Sequence, residues 1–141
     1  MGRFSVDFVA TRRSSGAGWD LYGIEINLRK GGTTHTLGLL HLLCGGHYDA
    51  EQGRYVDVSG RPVCYAATDN LVRAAWVSRS PVEVRQRVSD AGLDYDRTTG
   101  GGVVLHLLDC LEVDGRMGYT AVTESADEAA RLESQLITAL S

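Results

Sequence analysis

No stretch of this sequence approaches the roughly 18 consecutive apolar residues that a membrane-spanning helix needs, and its N-terminus lacks the apolar core of a secretion signal. Basic charge is not in excess: 14 Lys and Arg stand against 18 Asp and Glu, a net charge of −4. Without a basic field, neither nucleic acid nor an anionic membrane surface has a general hold on the chain. The tyrosines form no stacking platform with interleaved basic residues. Cys44, Cys64 and Cys110 are an odd set without CxxC spacing, which disfavours a disulfide framework and predicts reduced, mostly buried thiols. Internal repeats and low-complexity tracts are also missing. What these absences leave is a cytoplasmic protein that works without nucleic acid and without a membrane.

What the chain does have is 43% hydrophobic residues over 141 positions, enough for a substantial core. The N-terminal part alternates. Phe4, Val6, Phe8 and Ala10 make an apolar face, with Ser5, Asp7 and Val9 opposite. Further on, Gly23, Glu25, Asn27 and Arg29 point one way while Tyr22, Ile24, Ile26 and Leu28 point the other. The polar, glycine-rich segment from Thr11 to Gly18 reads as the loop joining two strands. Pairing about that loop brings Asp7 beside Glu25 and Asn27, two carboxylates and a carboxamide. These are hard oxygen donors of the kind magnesium takes while bridging phosphates. A solvated polar face on an edge hairpin explains the same letters, and at this point both readings stand.

Next, Thr33 or Thr34 is placed to cap a helix beginning near His35, which Gly45-Gly46 stops. A second hairpin is expected from Tyr55 to Val58 and Val63 to Ala67, then a short strand at Leu71 to Val77, although Arg73-Ala74-Ala75-Trp76 would also tolerate helix. Ser80-Pro81-Val82-Glu83 combines a capping box with proline at the first helical position, so a helix should run to Ala91. Residues 93–102 are expected to be a mobile connection. A buried strand at Val103 to Leu108 and a partner at Arg116 to Thr123 should meet across Asp114-Gly115. Ser125 opens a last helix, with Ala129, Leu132, Leu136, Ile137 and Leu140 as its apolar stripe. The fold class is therefore α+β, with a boundary near Gly45 to Tyr48.

Backbone amides of Gly31-Gly32-Thr33-Thr34 are placed to hold an anion, or simply to make a turn and a cap. His41, Cys44 and His47 recur every three residues, but Gly45-Gly46 interrupts the helix and a fourth ligand is missing, so zinc is not expected. His106 reads as a hydrogen-bonded core residue, and Trp19 and Trp76 as packing.

Asp7, Glu25, Asn27 and Arg29 resemble the signature of the second half of ATP-grasp ligases, an acid on one strand and Glu-x-Asn on the next. More closely, the segments from Ser5 to Thr11, Gly23 to His35, Gly46 to Ala50, Ala67 to Leu71, Gly101 to His106 and Arg116 to Thr120 are similar to ATP-grasp peptide ligases of the pheganomycin-biosynthesis type. The resemblance covers almost the whole chain. It implies an antiparallel ATP-grasp half-domain over residues 1–46 and the family's small α+β C-terminal domain over 47–141. It further implies a carboxylate–amine ligase in which ATP phosphorylates a carboxylate and an amine displaces the phosphate.

Carried over by position, Asp7, Glu25 and Asn27 would hold Mg²⁺, with Mn²⁺ as a substitute. Arg29 would be the catalytic contact to the phosphoryl group. Arg29, Gly31, Gly32 and Thr33 would line the ATP phosphates, and His35 would lie on the substrate side. The family's adenine-binding half has no counterpart here, so the expected partner is that half, on the same gene or as a separate chain. Alone, the chain is expected to be inactive and to self-associate through an apolar rim. A non-catalytic scaffold is the alternative.

Overall fold

The computed structural model describes residues 4–141. Two compact units divide the chain, Met1–Leu40 and His41–Ser141, and the division falls inside a helix.

In the first unit, β1 (Ser5–Arg12) and β2 (Trp19–Asn27) pair antiparallel as a two-stranded sheet. Gly16 and Gly18, both at positive φ, let the connecting loop turn, and Arg13 Nε donates to Asp20 Oδ1 at 2.7 Å across its mouth. The expected alternation breaks at one point. Asp7 faces Glu25, but Phe8 faces Gly23, so Ile24 is an extra residue in a β-bulge. Gly23 therefore shares a face with Phe8, whose ring lies 3.7 Å from where a Cβ on Gly23 would stand, and not with Glu25. Tyr22, opposite Val9, moves to the carboxylate face by the same reset.

Helix α1 (Gly32–Leu43) begins three residues before the expected start. Thr34 does not cap a later helix: its Oγ1 accepts from the Gly31 N–H at 3.1 Å, folding the first turn back on itself. Gly45 and Gly46, at φ +62° and +75°, end the helix as expected. A Cβ on Gly46 would collide with the backbone of Val56 and Asp57, so only glycine fits there.

The second unit is a five-stranded antiparallel sheet in the order β3-β4-β5-β7-β6. Its strands are β3 (His47–Asp49), β4 (Arg54–Val56), β5 (Pro62–Val72), β6 (Gly102–His106) and β7 (Arg116–Thr123). The expected strand at Leu71 to Val77 is instead the end of β5 followed by a 3-10 turn, Ala74–Trp76. The Asp114-Gly115 connection is likewise more than a tight turn. Leu107 adopts a left-handed conformation and leads into a 3-10 turn and a short helix, α3 (Leu111–Asp114).

Both capped helices form where expected. Ser80 accepts from the Val82 N–H to open α2 (Pro81–Asp90), and Ser125 accepts from the Glu128 N–H to open α4 (Ala126–Ala139). Helix α4 packs on β5 and β7. Leu136 and Leu140 join Val84, Val88, Met117 and Tyr119 in one buried cluster, with Leu132 and Ile137 against its edge. Trp76 is part of that cluster, and its Nε1 donates to the Leu140 carbonyl at 3.1 Å. Trp19, by contrast, is exposed. The Tyr119 phenol is pushed up, first by burial and then by its hydrogen bond to the Glu133 carboxylate.

Residues 93–102 are an ordered turn, not a loose connection. Val103 N–H donates to the Leu93 carbonyl at 2.7 Å, Gly100 N–H to the Asp96 carbonyl at 2.8 Å, and Thr98 N–H to Asp96 Oδ1 at 2.7 Å. No helix among the described residues is long and apolar enough to cross a membrane.

Candidate functional site

Pairing of β1 with β2 brings the expected oxygen ligands together. Asp7 and Glu25 are direct cross-strand partners, so their side chains leave the same face of the ribbon. Asn27, one face position further along β2, donates from Nδ2 to Asp7 Oδ2 at 3.1 Å. The bulge lies beside this trio, a place where an inserted residue re-aims neighbouring side chains. Asp7 and Glu25 are exposed, and Asn27 is half-buried.

The Asn27 amide presents its nitrogen to Asp7, so serving as an oxygen ligand requires a half-turn of the carboxamide. Among the described residues, no group of three His, Cys, Asp and Glu side chains is placed to hold a metal. The hairpin trio contains only two such residues, with an amide as its third donor.

Strand β2 ends at Asn27, and Arg29 lies at an exposed bend beyond it. Strand alternation therefore does not fix the direction of Arg29. The Gly31 N–H is already taken by Thr34. That leaves the amides of Gly32 and Thr33, in the exposed first turn of α1 where N–H groups have no intrahelical acceptor.

The other suspected cluster does not converge. His41 Nδ1 is 2.9 Å from the Tyr55 hydroxyl, which donates in turn to the Gly45 carbonyl, so the His41 nitrogen is the donor in that pair. Burial, with the Cys44 thiol next, pushes the Tyr55 phenol up. Cys44 Sγ lies 3.5 Å from the Tyr95 hydroxyl, and the Tyr95 phenol is pushed up to about 12, first by burial and then by that thiol. All three cysteines are free and half-buried, more open than expected. His106 is half-buried too, its ring lying over Gly118 where a Cβ would stand.

Sequence reasoning missed a cavity of about 220 Å³ in the second unit, lined among others by Cys44, Arg61, Tyr95, Arg97 and Glu124. Its only sequence signal was the Asp57-Val58-Ser59-Gly60-Arg61 turn. There Asp57 accepts from Ser59 N, Ser59 Oγ, Arg61 N and Arg61 Nε at 2.7–3.0 Å. These bonds, the Ser59 hydroxyl foremost, hold its carboxyl well below the usual carboxylate range.

Residues 83–136, from the first turn of α2 through most of α4, match the family described as PGM1 C-terminal domain. Over 140 residues the chain is also 34% identical to an L-propargylglycine–L-glutamate ligase of Streptantibioticus cattleyicolor, an alignment covering 97% of this chain and 28% of that ligase. The peptide-ligase resemblance read in the sequence is borne out by these two matches. The family match lies within the second unit, whereas the ligase match also takes in the hairpin. No solved structure matches the chain.

Proposed function

We propose that the first unit supplies the metal and phosphate ligands of an ATP-dependent carboxylate–amine ligase, and that the second unit, which includes the segment similar to the PGM1 C-terminal domain, belongs to the same enzyme. The observation carrying this reading is the Asp7–Glu25 cross-strand pair with Asn27 hydrogen-bonded to Asp7. The donor set fits Mg²⁺: hard oxygens, few in number, both carboxylates exposed, with room for the waters the ion keeps. Mn²⁺, with similar ligand preferences, would substitute.

Bound there, the ion would neutralise charge on the transferring phosphoryl group, which is most of what such a reaction asks of its catalyst. The chain's own residues do the rest. Asp7 and Glu25 hold position by facing each other across the ladder. Asn27 gives up its bond to Asp7 and turns its carbonyl oxygen inward. Arg29 swings from its bend to place a planar fork on the phosphoryl oxygens, a contact that a lysine would not reproduce. Gly32 and Thr33 offer free N–H groups to the phosphate chain, with Gly31 joining if Thr34 releases it.

The substrates would be a carboxylate and an amine of the amino-acid or peptide kind, as the name of the similar ligase says of that protein. Adenine would be gripped by a further ATP-grasp half, on the same polypeptide or a separate one, seated on the exposed apolar side chains of the hairpin. Such a ligase works in the cytoplasm, where ATP and magnesium are plentiful.

A scaffold without catalysis is the second reading, favoured by one observation: Asn27 and Asp7 bond to each other without any ion. Replacing Glu25 with Gln in the completed ligase separates the two. Turnover is expected to fall at least about a thousandfold, in line with the weight of such charge stabilisation, while the circular dichroism spectrum is unchanged because the residue is exposed. Turnover at the unsubstituted level would remove the site assignment.

A further inference from the structure

The hairpin of the first unit has a second face. Val6, Phe8 and Ala10 of β1 stand opposite Ile26, Gly23 and Leu21 of β2, so these side chains leave the ribbon on the side away from Asp7 and Glu25. The next rung, Arg12 with Trp19, brings the only charge on this face within the two strands, and its guanidinium lies over the indole, 5.5 Å from the ring centroid. Phe8 is 61% exposed, Trp19 56%, Leu21 68% and Ile26 64%. A sheet face of this composition is stable when another layer covers it.

At about 200 Å² for an aromatic side chain, Phe8 and Trp19 together expose roughly 230 Å². The aliphatic side chains, with Phe4 and Leu28 at the open end of the ribbon, bring the exposed apolar surface to about 600 Å² a copy. That is the upper end of what a monomer leaves open. Two such faces laid together bury about 1,200 Å², the size at which specific interfaces begin.

We propose that the hairpin pairs with the hairpin of a second copy of this chain, apolar face to apolar face, as a two-layer sandwich whose two-fold axis runs across the strands between Phe8 and Ala10. Sheets packed face to face lie about 10 Å apart with their strands within about 30° of each other. A large and a small side chain at adjoining positions make the face self-complementary. Each Phe8 ring lies against Ala10 of the other copy, and each Ala10 against the other copy's Phe8, as a closed two-fold interface requires. Charge agrees with this arrangement: the axis holds the two Arg12 residues about 20 Å apart, twice the screening length at about 0.1 M salt. A lone guanidinium stacked on its own indole gives an anionic membrane no hold.

The carboxylate face stays open in such a pair, so the dimer does not rest on the metal reading and each can fail alone.

Sedimentation velocity of the full chain, from about 1 to about 300 μM, tests the proposal. A reversible monomer–dimer equilibrium in the micromolar range, stopping at two copies, is expected. Ala10 is exposed, so Ala10→Asp and Ala10→Lys remove no packing from the hairpin, and each alone is expected to weaken the dimer at least about tenfold by burying a charge. Mixed in equal amounts, the two variants are expected to restore pairing, because the two copies of position 10 adjoin across the axis. Leu21→Lys should weaken the dimer as Ala10→Lys does, whereas Tyr22→Ser and Glu25→Gln, on the carboxylate face, should leave the equilibrium unchanged. The proposal is overturned by a chain that stays monomeric at the highest concentration, whether its hairpin then takes phosphatidylcholine vesicles or the remaining part of the similar ligase added as a separate chain. Association running past two copies, a dimer that survives both Ala10 variants, or a mixture of those variants no better paired than either alone would equally overturn it.

Discussion

Strands β1 and β7 are both eight residues long, yet every position of β1 is exposed while all of β7 beyond Arg116 is buried. The difference is one of neighbours. Strand β7 lies between β5 and β6 with α4 packed on it, whereas β1 has β2 alone. A two-stranded hairpin is marginal in water by itself, and this one carries Phe4, Phe8, Trp19, Leu21, Ile24 and Ile26 on its surface. The second unit thus holds its own core, and the hairpin leaves its apolar side chains exposed. Exposed apolar patches of this kind mark interaction surfaces.

Core deletion should separate the units most strongly. Leu136→Ala removes a fully buried side chain from α4 and is expected to cost about 3 kcal/mol, the usual range for such cavities. Urea unfolding followed through the Trp76 fluorescence of the second unit checks this, and a loss under about 1 kcal/mol would mean the cluster is looser than its burial implies.

A smaller and pH-dependent effect belongs to Asp57. Its folded carboxyl titrates below the unfolded value, so its contribution to stability is complete above an unfolded pKa of about 3.9 and is lost as pH falls below that, through the folded pKa. Comparing the urea midpoints of the native chain and Asp57→Asn should therefore give a constant gap from pH 7 to 5 that narrows towards pH 3. A gap that widens with acid would reverse the assignment.

The smallest effect is expected in the hairpin. Ile24→Ser at the exposed bulge should change the second unit's midpoint by less than about 0.5 kcal/mol, although the residue is as apolar as any in the core. A shift as large as that of Leu136→Ala would show that the hairpin contributes to the larger core.

The same contrast explains what could be read from the letters. Helices α2 and α4 were legible because Ser80-Pro81 and Ser125 announce their starts locally, and β7 because its run is continuous. The bulge at Ile24 was not, since nothing in an alternating string says where a partner slips by one residue. Strand β3 is three residues long and is defined by its partner β4. Order in residues 93–102 comes from Asp96 and from carbonyls met only after folding, which a glycine run cannot signal. At the candidate site, Asp7, Glu25 and Asn27 were found because period two and a family motif coincide there. The cavity of the second unit was not, because Cys44, Arg61, Arg97 and Glu124 come from four distant segments.

Paramagnetic broadening by Mn²⁺ tests the central claim most directly. With Mn²⁺ and ATP added to the chain, amide signals of residues 7, 25 and 27 are predicted to broaden first, and Glu25→Gln is predicted to abolish that selectivity. Equal broadening in the variant, or broadening that begins at the acidic side chains of the second unit, would contradict the assignment of the hairpin as a metal and phosphate site.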